Sequence, residues 1–470
     1  MQNQAVAMKF KRSLFIFRRD LRICDNTGLI EACRSSKTVI PCFIFDPRQT
    51  SQNPYFSANA FGFMVESLHD LARQFNAARG FLFVFQGYAE EVIDRLIDEY
   101  GFEAVFTNKD YTPFSNARDA AIQAACTKNG AIFRCCSDIL LHEPSEIVKG
   151  DGTPYVVFSH FLRRAREIPI RPVNPATQSN FSQGLVPAER SHPLERVSYQ
   201  RNEASYERGG RANALTVLAD LRRFANYERE RDYPANATTG LSAHNKFGTC
   251  SIREVYRAVA DQLGVEHRLI VELFWRDFYS YVAHFFPHVF GHAFHRDFDS
   301  LAWNTDFELF DAWRRGLTGF PIVDAGMRQL NATGFMHNRV RMLVASFLTK
   351  DLHIDWRWGE RHFAQKLVDY DPAVNNGNWQ WCASTGCDAQ PYFRIFNPWL
   401  QQKRYDPSCS YIKKWVPELR ALSAERIHSL GAGTAKPPRG YPAPIVIHAT
   451  ESNRAKEMYR SVIKSGREGR

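Results

Sequence analysis

Five continuously apolar runs near the start of the chain, SLFIF, VIPCFIFD, FLFVFQG, AVFTNKDY and AIFRCC, alternate with stretches of helical pattern. Strands apolar on both faces belong to a sheet covered on both sides, and such alternation calls for crossover connections between parallel strands. The helix candidates between the runs are ANAFGFMVESLHDLARQFNAA, EEVIDRLIDEY and NARDAAIQAACTKNG. Residues 9–140 are therefore expected to form a five-stranded parallel, doubly wound α/β domain with all five strands buried. No GxGxxG follows the first strand, so the usual dinucleotide fingerprint is missing. RRDLR, Arg18 to Arg22, stands in its place and by itself reads as a solvated turn.

The pattern loosens over 141–210, where DGTPY, IPIRPVNPATQSNFSQG and LVPAERSHPLE predict a long surface connector rich in Pro, Ser, Gly and Asn. One helix, VVFSHFLRRAREI, interrupts it. From 211 to 470 helical periodicity dominates, as in NALTVLADLRRFANYERERD, HRLIVELFWRDFYSYVAHFF and HNRVRMLVASFLTKDL. An all-helical domain is expected there, ending in a short amphipathic helix, ESNRAKEMYRSVIKS. A chain of 470 residues exceeds one ordinary core, in keeping with two domains.

The longest apolar runs, such as FLFVF, are too short to span a bilayer. The opening MQNQAVAMKFKR carries no secretory apolar core, so a cytoplasmic protein is expected. The ten cysteines show neither zinc spacing nor a disulfide framework, which points to reduced thiols and no metal site. A net charge of +10 suits a polyanionic partner without proving one.

The densest chemistry lies in YDPAVNNGNWQWCASTGCDAQPYFRIFNP, Tyr370 to Pro398. Asp371-Pro372 stops the preceding helix, and Asn375, Asn376, Gly377 and Asn378 read as a turn rich in amides. With Trp379, Trp381 and the carboxylates Asp369, Asp371 and Asp388, the string suits a flat, polar-edged aromatic ligand. Glu272, Trp275, Arg276 and Tyr279 share one helix face, and Asn338, Arg341 and Met342 share another. Charge on such a face is poor core material; an exposed salt-bridged face is the plain alternative. Ahead of the helix SIREVY, TTGLSAHNKFGTCS offers hydroxyls and helix-start amides for an anion such as a pyrophosphate, or simply an N-cap.

These strings, from RRDLR to YPAPIVIH, resemble the photolyase/cryptochrome family, most closely class I cyclobutane pyrimidine dimer photolyases. The resemblance implies an FAD site at Tyr227, Thr238, Thr239, Leu241, Ser242, Arg276, Asn338, Arg341, Asp369, Asp371 and Asn375. Gly240 stands where an arginine is common in the family. The resemblance further implies that Asn375 faces the reactive ring nitrogen of a reduced anionic flavin, and that Arg341 pairs with Asp369 beneath it. Glu272, Trp275, Met342 and Trp381 match the set that reads the dimer, with Glu272, Asn375 and Met342 closest to the chemistry. Trp379, Trp356 and Trp303 match a three-tryptophan electron chain, and Trp358 adds an indole that offers a branch.

Arg339, Arg394 and Lys403, with Arg404, Lys413 and Lys414, would neutralise DNA phosphates flanking the lesion. The implied function is light-driven repair of pyrimidine dimers in UV-damaged DNA by a monomer. The implied second chromophore is a methenyltetrahydrofolate, an 8-hydroxy-5-deazaflavin or another flavin; Asn108 matches a folate-contacting position, with Lys109 in place of the expected acid. A cryptochrome-type blue-light photoreceptor, a relative favouring single-stranded DNA and a nucleotide-binding oxidoreductase are the competing readings.

Overall fold

The computed structural model describes residues 9–175, 180–182, 184–205, 207–432 and 436–468. The opening residues 1–8, and 176–179, 183 and 206 of the expected connector, lie outside the described residues.

The strands are β1 (Phe10–Phe17), β2 (Ser36–Phe45), β3 (Phe83–Gln86), β4 (Ala104–Asn108) and β5 (Ile132–Cys136). They form one parallel sheet in the order β3-β2-β1-β4-β5, with Phe15 of β1 opposite Pro41 of β2 and Phe106 of β4. Around it lie α1 (Thr27–Ser35), α2 (Ala58–Ala77), α3 (Ala89–Tyr100) and α4 (Pro113–Lys128). Phe15 and Phe17 pack on one face with Leu29 of α1 and Leu68 and Phe75 of α2, while Leu14 and Ile16 pack on the other with Ile93 and Leu96 of α3 and Ile122 of α4. The doubly wound expectation holds. The order reverses between β1 and β4, and at such a reversal the strands' carboxyl ends open a crevice.

Three local expectations change. The short helix α1 was not foreseen; Asn26 caps it by accepting from the Leu29 N–H, and its Gly28 approaches β4 so closely that a Cβ would sit 2.7 Å from Asn108 Oδ1. β5 is an edge strand, exposed or half-buried along its length, because β4 alone pairs with it. RRDLR is no solvated turn: Arg19, Asp20 and Arg22 are buried, and Arg22 and Arg253 both pair with buried Asp138.

The connector contributes α5 (Phe158–Glu167). Beyond it come α6 (Arg211–Ala219), α7 (Tyr227–Glu230), α8 (Leu241–Phe247), α9 (Ile252–Leu263) and α10 (Arg268–Phe285). Next are α11 (Phe307–Arg315), α12 (Pro321–Thr333), α13 (Asn338–Ser346), α14 (Trp356–Lys366) and α15 (Pro372–Ala383). The chain closes with α16 (Pro398–Tyr405), α17 (Ser410–Trp415), α18 (Ala424–Ser429) and α19 (His448–Glu468), the last foreseen as the amphipathic tail. One core gathers Phe161 of α5 with Ile270 and Phe278 of α10. A second gathers Trp313 of α11, Met327 of α12, Val344 of α13, Trp356 of α14 and Trp379 of α15. The two halves touch directly, since Ala243, Phe247 and Val368 join the core beneath α1 and α2.

α15 corrects the expected amide-rich turn. Asp371 accepts from the Ala373 and Val374 N–H groups, and Pro372 takes the first helical position, where its missing N–H costs nothing. This start carries Asn375 to Asn378 into a helix, and the amides of Asn375 and Asn376 turn outward to tertiary partners: Asn376 Nδ2 donates to the Val289 carbonyl at 3.0 Å, while Asn378 bonds back to the Val374 carbonyl of its own helix.

Candidate functional site

Between α8, α10, α13 and α15 lies a cavity of about 300 Å³. Tyr227, Thr238, Thr239, Leu241, Ser242, Glu272, Arg276, Asn338, Arg341, Met342, Asp369, Asp371, Asn375 and Trp379 all line it. The helices make this possible by register: Glu272 and Arg276 are one turn apart on α10, as are Asn338 and Met342 on α13.

On one wall Arg341 grips Asp369 with two bonds, Nη1 to Oδ1 at 3.2 Å and Nη2 to Oδ2 at 2.9 Å, while its Nε donates to the Met336 carbonyl at 2.7 Å. A fork held at three points is fixed in plane, which suits it to underlie a flat ring. Asn375 Nδ2 donates to the Glu360 carbonyl at 3.1 Å. That bond settles the amide orientation and leaves Oδ1 as an acceptor, able to take an N–H from a ligand. Glycines let the helices behind the cavity pack closely: a Cβ on Gly377 would meet the Tyr279 ring at 2.1 Å, and one on Gly359 would meet Trp379 at 2.2 Å.

The anion end differs from expectation. The motif 238–242 opens α8 itself rather than the helix beginning SIREVY, which is α9. Ser251 is occupied as the cap of α9 in a reciprocal box with Glu254. Gly240 sits at φ 65°, a left-handed conformation that strains any side-chain-bearing residue, arginine included. Asn245 lines the same end, and its Oδ1 is buried without a hydrogen-bond partner. A buried orphan acceptor beside a cavity marks a place where a ligand supplies the missing donor.

At the mouth, Glu272 is held by two guanidinium groups: Arg268 Nε donates to it at 2.9 Å, and Arg231 forms a close ion pair with it. Arg339 pairs with Asp232 at 2.6 Å and lies over the Tyr405 ring at 4.6 Å. Trp275 and Trp381 are half-buried outside the cavity lining; Trp275 stacks on Phe158 with ring centroids 3.6 Å apart. Arg394 and Lys403 are exposed. Trp356 is buried in the same core as Trp379, with Trp303 packed against it, so the three lie within one cluster away from the cavity except at Trp379. His337 caps α13 through Nδ1, and burial together with the nearby Arg341 pushes it down to about 4, so it is neutral at physiological pH.

Asp388 leaves the expected carboxylate group; it accepts from the Phe158 N–H at 3.0 Å and so starts α5. Arg231, Arg268 and Asn245 were missed, since no local spacing ties them to Glu272 or the cavity. Lys246 was missed as well. It lines this cavity and a second one of about 210 Å³ at the carboxyl ends of β1 and β2, beside Arg19, Phe45, Phe61, Asp110 and Tyr370. Arg19 forms a close pair with Asp371, and Asp110 lies 3.4 Å from the same guanidinium. That guanidinium, with Lys246 nearby, holds the Asp371 carboxyl well below the usual carboxylate range despite burial.

A family model described as the FAD binding domain of DNA photolyase matches residues 269–461, and one described as DNA photolyase matches residues 13–178. The deoxyribodipyrimidine photo-lyase of Synechococcus sp. is 37% identical over 96% of this chain and 96% of its own length. An archaeal photolyase from Sulfolobus tokodaii, solved with two FAD molecules, superposes with a TM-score of 0.87 at 43% identity, covering 96% of this chain and all of its own. The cryptochrome of Synechocystis sp. superposes with a TM-score of 0.86 at 29% identity, covering 96% of this chain and 99% of its own.

Proposed function

The chain belongs to the DNA photolyase family, and from that premise we propose that it acts as a deoxyribodipyrimidine photolyase, a light-dependent DNA repair enzyme that splits cyclobutane pyrimidine dimers. The observation that carries this reading is the pairing, in one cavity, of a floor built for a flat cofactor with a carboxylate at the mouth. Arg341, Asp369 and Asn375 make the floor; Glu272 and Met342 stand above it.

FAD would be held by Tyr227, Thr238, Thr239, Leu241, Ser242, Arg276, Asn338, Arg341, Asp369, Asp371 and Asn375. The orphan Asn245 Oδ1 on the cavity wall fits it. When bound in its reduced anionic form, FAD supplies a light-excited electron that opens the cyclobutane ring and is then recovered. The chain's own work is binding and orientation. Asn375 Oδ1 would accept an N–H of the cofactor, and the Arg341–Asp369 pair, neutral overall, would offer it a guanidinium held in a fixed plane.

Glu272 accepts from the pyrimidine N–H groups of a dimer that has left the duplex. Met342, Trp275 and Trp381 supply the apolar and aromatic surface it rests on. Arg339, Arg394 and Lys403 meet the flanking phosphates. Trp379, Trp356 and Trp303 supply electrons to restore the reduced cofactor. One chain furnishes every residue named, so a monomer suffices. We assign 9–140 to the antenna, 141–210 to the connector and 211–470 to FAD and DNA, with Lys246 and Tyr370 of the helical half also bordering the antenna cavity.

The second cavity takes the antenna chromophore. Asn108 is buried and spent, donating to Asp20 at 2.6 Å and to Asn26 at 2.8 Å and accepting from the Gly28 N–H at 2.9 Å, so it offers nothing to a folate. The slot beside Phe45 and Phe61 favours a planar tricycle, a deazaflavin or a second flavin. No described helix is long and apolar enough to cross a membrane, and we place the protein with DNA in the cytoplasm.

The test is a dark titration of FAD-loaded protein with duplex DNA carrying one dimer and with the undamaged duplex. The dimer should bind at least about 10³-fold more tightly. Equal affinities would favour the cryptochrome-type photoreceptor, which shares the flavin site but has no use for a dimer cavity.

A further inference from the structure

The connector meets the cavity mouth through one ring. Phe158 opens α5 and is only 7% exposed. Its ring lies 3.6 Å from the Trp275 indole, centroid to centroid, with the planes 10° apart. Rings so close and so nearly parallel sit face to face, which aromatic quadrupoles disfavour against an offset or edge-on pair. The arrangement is therefore imposed by what holds each ring.

Phe158 is held from two sides. Phe278 of α10 meets it edge-on at 5.6 Å, and its own N–H donates to Asp388 Oδ2 at 3.0 Å. Beside that bond the Cys387 thiol donates to the Val156 carbonyl at 3.0 Å. Asp388 stands at φ 48°, in the left-handed region that aspartate tolerates better than most residues. Trp275 is bordered in turn by Phe278, edge-on at 5.8 Å, and by Tyr279 at 5.6 Å. The indole stays half-buried, so part of it remains open to a ligand, one turn of α10 away from Glu272.

We propose that Phe158 is a positioning residue for lesion recognition: it fixes the plane of Trp275, and the turn at Cys387 and Asp388 clamps it there. The proposal rests on the dimer reading of the cavity. A tryptophan left loose at a cavity mouth has side-chain torsions to lose when a flat ligand settles on it. With Phe158 behind it, that ordering is completed on folding rather than on binding, and preorganisation of this kind raises affinity. The clamp also links two walls. Asp388 follows α15, which carries Asn375 and Trp381, while Trp275 belongs to α10. The Asp388–Phe158 bond thus adds a second tie between the two indoles, besides the direct packing of Gly377 against Tyr279. Phe158 itself needs no contact with the dimer.

The test is dark binding of duplex DNA, with and without one dimer, to FAD-loaded full-length protein. Phe158→Leu keeps an apolar side chain and removes the parallel ring. It should weaken dimer binding by roughly 3–10-fold and leave undamaged-duplex affinity and FAD content as they were. In a Trp275→Ala background the same change should cost nothing further, since a residue that acts only through Trp275 then has nothing to position. Asp388→Ala keeps both rings and removes the clamp; it should act in the same direction, and its effect should also vanish without Trp275. Unchanged dimer affinity in Phe158→Leu, or an equal loss with and without Trp275, overturns the proposal. Should Phe158→Leu lose its flavin, Asp388→Ala is read by the same two criteria. An unaltered protein that binds dimer and undamaged duplex alike removes the dimer reading itself, an outcome distinct from both.

Discussion

Replacing Asp371 by alanine is expected to destabilise the protein by about 3–5 kcal/mol, the usual cost of breaking a buried ion pair by deleting one partner. The loss should fall at the low end, because Asp110 remains 3.4 Å from Arg19. The carboxylate has two tasks, pairing with Arg19 from the loop after β1 and capping α15, which carries Asn375 and Trp379. Asp371→Asn separates them. Asparagine caps as well as aspartate, so the difference between the two variants should be about 1 kcal/mol.

The pH dependence follows the sign of the shift. Asp371 is held below its unfolded value, so its stabilisation is complete above about pH 4 and fades as acid carries the pH below that. Asp371→Asn should flatten that part of the acid-unfolding curve, measured by urea midpoints at successive pH values. An unchanged curve would show that the Arg19 pair contributes nothing.

The second large effect is expected at Glu272. Glu272→Ala should weaken dimer binding by roughly 10–100-fold, since hydrogen bonds to a charged group contribute about 1.5–3 kcal/mol each. Undamaged DNA should bind no worse and somewhat better, because Arg231 and Arg268 lose their carboxylate and turn to phosphates. FAD content should stay the same. A variant that loses flavin along with dimer affinity would mean that Glu272 supports the cavity rather than reads the lesion.

How much of this was legible in the chain depends on range. The apolar runs gave the strands, since period and burial are written locally, yet β5 looked as buried as the rest because an edge position is set by the partner it lacks. The helix faces carrying Glu272 with Arg276, and Asn338 with Met342, follow from 3.6-residue periodicity. The same logic failed at Asn375 to Asn378, where local turn preference lost to the Asp371 cap, Pro372 and amide bonds to distant carbonyls. Arg231 reaches Glu272 across 41 residues, and Lys246 borders two cavities made by opposite halves of the chain. No spacing rule carries such information. Phe158 was hidden for the opposite reason, since a single buried phenyl ring reads as core until its neighbours are known.

The central claim is best tested by counting dimers. FAD-loaded protein, reduced without air, is mixed with duplex DNA of known dimer content and divided between darkness and blue light. Loss of dimers in the light with none in the dark is the predicted result. Dimers that persist under light, with reduced flavin bound and the DNA retained, would contradict it.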